Sequence, residues 1–296
     1  MPRVEELGKA YSDYYTHADA DRTPVRLSRL QAAYWNLNWM IVDGYVQAKY
    51  RYTRGVGARW HRLLAPLGLV LSGGVSSLDH EVSYLPAPAS GARLLEVGCG
   101  DGSQLARKRE LGWSVEGLDF DASAVEAAAR RGLRVRVGDL AAQKYADSSF
   151  DAIYLTHVFE HVPDPRSLLC EAKRVLTPGG ILVIQTPNAS GWGHRLFGSA
   201  WRGLEPPRHL TLHTRASARR LSEEAGFVIQ ELMTTPRIAK FIWKRSLSLA
   251  PGRFQYLRRI PQQIGGLLFE FAERVALHVQ PDAGEELVVI VRRPTN

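Results

Sequence analysis

Between Ala92 and Met233, short aliphatic and β-branched runs alternate with stretches of helical character. In chain order they read ARLLEVG, SQLARKRELG, SVEGLDF, DASAVEAAARRG and LRVRVGDL, the strand, helix, strand succession of a parallel sheet covered by helices. The pattern continues through DAIYLTHV, a helix near Pro165 to Leu176, the strand GGILVIQTP, a helix from about Thr214 to Ala225 and the strand FVIQELM. A last strand, EELVVIVRR at 285 to 293, closes the series. These elements predict an α/β fold with helices on both faces of the sheet.

Two segments stand apart from the alternation. Residues 1-90 predict a helical extension: behind the start signal Thr23-Pro24, the residues Leu30, Tyr34, Leu37, Ile41, Tyr45, Ala48 and Tyr52 recur at helical spacing. This extension either packs on the sheet or covers a substrate as a lid. The preceding run YSDYYTH, at 11 to 17, reads either as a lid folding over the cofactor, which makes Tyr14, Tyr15 and His17 substrate-facing candidates, or as an exposed amphipathic arm. The main domain, 91-296, carries insertions at 189-212 and 236-284. In the second, Ile264, Leu267, Leu268, Phe271, Val275 and Val279 form one apolar helical face. Such faces are ordinarily core, which predicts a cap over the substrate or a homodimer contact. The other reading, a segment lying on an anionic membrane surface, stays open beside it.

Composition narrows the function classes. With 45% apolar and 23% charged residues, a disordered or coiled-coil chain is a poor fit. The net charge of +8 is local: Leu232 to Phe269 holds seven Lys and Arg and no acid, and the remainder is 31 basic against 30 acidic residues. No whole-molecule footprint for nucleic acid results. The first fifteen residues mix both signs of charge and lack a signal-like apolar run, and no membrane-spanning stretch is predicted. Two cysteines without metal-site spacing, Cys99 and Cys170, fit a reducing cytoplasm, with the inner membrane face as the variant that the basic insertion allows.

The strand LLEVG runs straight into CGDGS and a helix, setting Glu96, Gly98, Gly100 and Gly102 at the strand's carboxyl end. Glycines there let the backbone approach a ligand closely. A nicotinamide fingerprint needs glycine at 103, which is Ser, and this disfavours an oxidoreductase. Glu96 would repel a pyrophosphate but accepts a hydrogen bond from a ligand ammonium. The second strand ends at Asp119, placed for ribose hydroxyls, and the third is followed by Asp139 and Leu140, placed for an exocyclic amine and the face of an adenine. Three acids in order at successive strand ends line one rim of the sheet.

The runs LLEVGCGDG, GLDFD, GDL, DAIYLTHVFEHVPDP and RVLTPGGILVIQTPN resemble the class I S-adenosylmethionine-dependent methyltransferases. The branch they are most similar to includes the ubiquinone-biosynthesis O-methyltransferases and methyltransferases encoded with bacterial polysaccharide and glycolipid enzymes. The resemblance covers Gly91 to Met233 and the last strand. It implies a Rossmann-like, mostly parallel seven-stranded sheet whose last strand is antiparallel and lies between strands five and six. It implies S-adenosyl-L-methionine as cofactor, in a site lined by Glu96, Gly98, Cys99, Gly100, Asp119, Phe120, Asp139, Leu140, Thr156 and His157, with Phe120 beside the adenosine.

After the fourth strand, His157, Glu160 and His161 share one face if a single helical turn follows. Downstream come Arg208, His209 and His213, and five of the nine histidines lie between 157 and 213. In the resembled branch, small-RNA 2'-O-methyltransferases and some ubiquinone-pathway enzymes bind a divalent metal through Glu-x-x-Glu-His and a distant histidine. The resemblance maps that set onto His157, Glu160, His161 and His209, with His157 in place of a Glu. Three imidazoles and one carboxylate favour a transition ion over Mg2+. Without a metal, His209 or His161 is a general base that Glu160 orients. In the third reading Glu160 and His161 only cap the next helix. Arg208 and Trp201 are further candidates for substrate contact. The expected function is O-methylation of a hydroxyl on a sugar or phenolic small molecule, lipid-linked or free. The alternatives are metal-free N- or C-methylation and a noncatalytic cofactor-binding module.

Overall fold

The computed structural model describes residues 28–53, 56–67 and 75–295. The start signal at Thr23-Pro24 and the candidates Tyr14, Tyr15 and His17 lie outside the described residues. Helices α1 (Arg29–Tyr50) and α2 (Val75–Glu81) precede the alternating region. There follow β1 (Arg93–Val97), α3 (Ser103–Glu110), β2 (Ser114–Asp119), α4 (Ala122–Arg130), β3 (Val135–Val137), β4 (Phe150–Thr156), α5 (Pro165–Val175) and β5 (Leu176–Pro187). The chain goes on through α6 (Trp192–Phe197), α7 (Arg215–Glu224), β6 (Val228–Thr235), α8 (Ala239–Leu249), α9 (Gln262–Ala276) and β7 (Glu286–Arg292).

The seven strands form one sheet in the order β3-β2-β1-β4-β5-β7-β6. β1 and β2 pair in parallel, as do β2 and β3, whereas β7 runs antiparallel to both β5 and β6. This is the sheet that the resemblance implies. β5 from Ile181 onward and β7 up to Val291 are buried without alternation, the pattern of strands covered on both faces. Helix starts follow side-chain caps: Asp121 accepts from the Ser123 amide, Asp164 from the Ser167 amide just ahead of Pro165, and Thr214 with Ser217 forms a reciprocal capping box. The strand order reverses between β1 and β4, and in open α/β sheets ligands lie beyond the carboxyl ends of strands at such a reversal.

The described chain divides into two compact units, 28–144 with Ser149–Tyr154, and Tyr145–Ser148 with 155–295. In the first, Tyr45 and Val46 of α1 pack with Leu78, Val82, Leu111 and the Tyr52 that follows the helix. The predicted stripe is thus packed at Ile41, Tyr45 and Tyr52, while Leu37 and Ala48 face water.

In the second unit α6, α8 and α9 share a core of Phe197, Trp201, Ile242, Trp243, Leu247 and Phe269. α9 approaches α8 so closely that a Cβ on Gly265 would lie 2.6 Å from Nε1 of Trp243. Apolar helical faces are ordinarily core, but α9 packs through its other face, which leaves its apolar face open for a cap, a dimer contact or a membrane surface. The inward positions are Gly265, Gly266, Phe269, Glu270, Glu273 and Ala276, and the Ile264 to Val279 stripe is exposed. Among the described residues, no helix is long and apolar enough to cross a membrane.

Candidate functional site

The turn after β1 is pulled onto β2, since the amides of Gly98 and Cys99 both donate to the Leu118 carbonyl, at 2.7 and 2.9 Å. Its glycines have different duties. Gly102 has φ +75 and an added Cβ would lie 2.4 Å from Cδ1 of Leu133, so it lets the helix pack. Gly100, at φ +52, faces open space, with nothing within 4 Å of an added Cβ. Its amide donates to Oδ2 of Asp119 at 2.8 Å, and the Asp121 amide donates to Oδ1 at 2.9 Å. Asp119 is therefore fixed by two backbone donors at the end of β2. Beside it Phe120 holds its ring in solvent, a free face for a planar base.

The other rim candidates are placed less uniformly. Glu96 is buried 3.4 Å from the ammonium of Lys108, which also sits 4.3 Å above the Tyr154 ring. Burial pushes the Glu96 carboxyl up and the Lys108 ammonium down, and each offsets the other. Sequence reading missed this lysine, an uncommon charge on the inward side of α3. Cys99 buries its thiol, with a pKa raised by that burial to about 12, so only its backbone serves the turn. Asp139 is exposed and accepts from the Ala142 amide at 2.6 Å. Leu140, expected against an adenine, is instead fully buried core, because its apolar side chain completes the packing after β3. Thr156 at the end of β4 contacts Oε1 of Gln185 at 3.4 Å.

The chain leaves β4 through His157, whose backbone takes φ +52, and turns once through a 3-10 segment, Phe159–His161. That turn brings the predicted cluster together. Nδ1 of His157 lies 3.2 Å from Oε1 of Glu160, and its Nε2 lies 3.5 Å from Oε1 of Glu286. Glu160 is fully buried, its Oε2 accepts from the Thr186 hydroxyl at 2.8 Å, and its backbone carbonyl accepts from Leu210 and Thr211. Those last bonds draw the 208–213 segment onto it. His209 places Nε2 4.0 Å from Glu160 and 3.6 Å from Glu205, and its Nδ1 donates to the Gly203 carbonyl at 2.6 Å. His161 donates from Nδ1 to the Arg208 carbonyl at 3.1 Å, and the His161 and His209 rings meet edge to face at 4.7 Å.

Burial alone would raise the Glu160 carboxyl, but the hydrogen bond to His157 and the charges of three imidazoles bring it to about 2. Burial lowers His209 against the pull of Glu160, whereas His157 rises to about 9 because hydrogen bonds to Glu160 and Glu286 outweigh its desolvation. Glu160, His161 and His209 each offer a ligand atom, all within 4.8 Å of one another. His157 drops out of the proposed metal set, since both of its ring nitrogens are engaged by carboxylates. His213 is buried, stacks on Phe159 at 4.3 Å and contacts the Thr211 hydroxyl, a supporting role.

Arg208 is bound by Glu205 at 2.9 Å, together with Arg202 at 2.8 Å. Trp201 is not a substrate contact: it is buried in the helical core, gives its indole N–H to Glu285 at 2.7 Å and stacks on His194. Glu286, with Arg237 paired to it, is a further member of the cluster that sequence reading missed, through its contact with His157. Its signal is two acids opening an otherwise apolar strand.

A profile of the methyltransferase domain family matches residues 75–232, more than half of the chain. A Mycolicibacterium smegmatis protein named a probable S-adenosylmethionine-dependent methyltransferase is 33% identical over 159 residues, 52% of this chain and 60% of that one. The ubiquinone biosynthesis O-methyltransferase of Xanthomonas oryzae pv. oryzae is 39% identical over 108 residues, 33% of this chain and 44% of that one. The chain thus spans about half the length of these relatives. The crystal structure of a SAM-dependent methyltransferase from Archaeoglobus fulgidus superposes with a TM-score of 0.51 at 18% identity, over 74% of this chain and 95% of that one, a likeness of fold. On the family match, the glycine turn and the sheet order together, the chain belongs to the methyltransferase domain family.

Proposed function

We propose that the chain transfers the methyl group of S-adenosylmethionine to a hydroxyl of a small molecule, a sugar or a phenol. The observation that carries the reading is the convergence of Glu160, His161 and His209 in the turn region after β4. An amine acceptor needs no base, whereas a hydroxyl must lose its proton, and this cluster is suited to take it. The ubiquinone-pathway relatives, O-methyltransferases by name, support the same choice.

The rim beyond β1 and β2 suits the cofactor. Bound S-adenosylmethionine supplies an electrophilic methyl on a sulfonium. Gly100 leaves space for a ligand against the backbone, Asp119 keeps acceptor capacity for ribose hydroxyls beyond its two amide bonds, and Phe120 offers a ring to adenine. Glu96 accepts from an ammonium while sharing its charge with Lys108. In the cluster, burial keeps His209 neutral near pH 7, and the Nδ1–H on Gly203 leaves Nε2 unprotonated. His209 takes the acceptor's proton at Nε2, and the Glu160 carboxylate stabilises the imidazolium that forms.

A second reading rests on the tautomers. His161 and His209 both donate Nδ1–H to backbone carbonyls, the support found behind metal-ligating imidazoles, and Glu160 stays anionic. Those three residues would hold a divalent transition ion, whose Lewis acidity lowers the pKa of a bound hydroxyl.

The test is incubation with methyl-labelled S-adenosylmethionine and a panel of phenols and glycosides. Label in an oxygen-linked methyl is expected, with His209→Ala losing about a hundredfold or more in turnover at unchanged cofactor affinity. Label confined to nitrogen or carbon, or full turnover by His209→Ala, overturns the reading.

A further inference from the structure

Helix α9 has its polarity reversed. Its inward face carries Glu270 and Glu273, the former paired with Lys240 at 2.9 Å and Arg274 at 2.5 Å. Its outward face carries Ile264, Leu267, Leu268, Phe271 and Val275, with Val279 just beyond, and each is exposed over 51% to 78% of its surface. The spacing puts them on one stripe, where a helix in water ordinarily keeps its charges. No polar residue interrupts that stripe within α9. A contiguous apolar patch of this kind marks a contact surface.

The segment that leads into the stripe bears on what the stripe contacts. From Leu232 to Phe269 the chain holds seven cations and no acid, and Lys240, Lys244, Arg245, Arg258 and Arg259 are exposed. Phe241, Leu249 and Tyr256 add exposed apolar surface to the same segment. A second copy of the chain is the rival occupant. A two-fold interface sets a patch against itself, and would bring this basic segment against its own like charge. Anionic lipid headgroups supply the opposite charge along its whole length, and the acyl boundary takes the apolar side chains. The segment also lies beyond the residues that the methyltransferase domain family matches.

We propose that residues 236–279 dock the protein on an anionic lipid surface, with the α9 stripe buried below the headgroups and Lys244, Arg245, Arg258 and Arg259 among them. The inference stands independently of the acceptor chemistry.

Flotation of the full chain with vesicles of phosphatidylglycerol and phosphatidylcholine tests it, with sedimentation velocity in the absence of lipid alongside. Most of the protein is expected in the lipid fraction at low salt, with little on phosphatidylcholine alone and much less at about 1 M salt, where screening is short-ranged. Leu268→Ser with Phe271→Ser alters side chains already in water. It is expected to keep the circular dichroism and reduce binding about tenfold or more, and Lys244→Glu with Arg245→Glu is expected to act likewise. Absence of flotation overturns the proposal, as does flotation undiminished by the serine pair. A lipid-free dimer that the serine pair dissociates overturns it in favour of a second copy.

Discussion

Nδ1 of His157 stands 3.2 Å from Oε1 of Glu160, three residues further along, and the other nitrogen of the ring meets Glu286 at 3.5 Å. One imidazolium thereby bridges two fully buried carboxylates, Glu160 in the turn after β4 and Glu286 at the start of β7, the second of which is also paired with Arg237. Replacing His157 with Gln leaves Glu160 without its nearest cation. Breaking a buried pair costs about 3–5 kcal/mol, and the 35% exposure of the His157 side chain reduces that to about 2 kcal/mol. Urea unfolding at pH 6 measures it, and a loss below about 0.5 kcal/mol, the range of ordinary surface changes, contradicts the assignment.

The same pair sets a pH profile. His157 is raised from 6.5 to about 9, so its contribution to stability is full below pH 6.5 and fades as the pH rises through 9. Glu160 is lowered from 4.5 to about 2, so its contribution is full above pH 4.5 and fades as the pH falls through 2. Stability from this pair is therefore expected to be greatest between pH 4.5 and 6.5. In urea midpoints measured across pH, His157→Gln is expected to flatten the alkaline decline. An alkaline limb identical to that of the wild type contradicts the pairing.

A second group of acids weakens the protein as the pH rises. Burial, with the charge of Glu285 next in weight, lifts Glu273 to about 10, and burial lifts Glu285 to about 7 against the opposing bonds from Gly193 and Trp201. Carboxyls raised in the fold contribute stability that is present below pH 4.5 and is lost as the pH climbs through their folded values. Glu273→Gln keeps a neutral acceptor for the Glu285 amide. Its urea midpoint is expected to exceed that of the wild type at pH 8 and to match it at pH 4.5; equal midpoints at both pH values refute this.

Gly100 and Gly102 separate ligand space from packing space. Gly102→Ala sets a methyl 2.4 Å from Leu133 and 2.8 Å from Ala128 at a left-handed φ, and is expected to cost about 2–3 kcal/mol. Gly100→Ala meets no atom and is expected to cost about 1 kcal/mol from its φ alone, yet to weaken cofactor binding about tenfold or more. Thermal unfolding and ligand titration on the two variants read the contrast. The same pattern in both would mean that Gly100 has no ligand to admit.

What could be read from the chain alone was what is local. The turn glycines, Asp119 and the His157–Glu160–His161 spacing lie within short runs, where strand ends and a single turn fix the geometry. Glu286, itself paired with Arg237, reaches His157 only because β7 slots antiparallel between β5 and β6, and no short run encodes that meeting. Periodicity identified the α9 stripe but not its side. The clue lay opposite it, in Gly265 and Gly266, which mark where another helix comes close, here α8 at Trp243 and Lys240. Position after the third strand points Leu140 to the ligand and an aromatic loop points Trp201 there, but burial gives both side chains to the core, and which side chains a fold buries is set by contacts distant in sequence.

The most direct test of the account is calorimetric titration of the full chain with S-adenosylhomocysteine, with the transition-metal content of the same sample measured. One binding site per chain is predicted, weakened about tenfold or more by Asp119→Ala and unchanged by His209→Ala, whether or not metal is found. Absence of binding, or binding indifferent to Asp119, would contradict the proposal that this rim of the sheet holds the methyl donor.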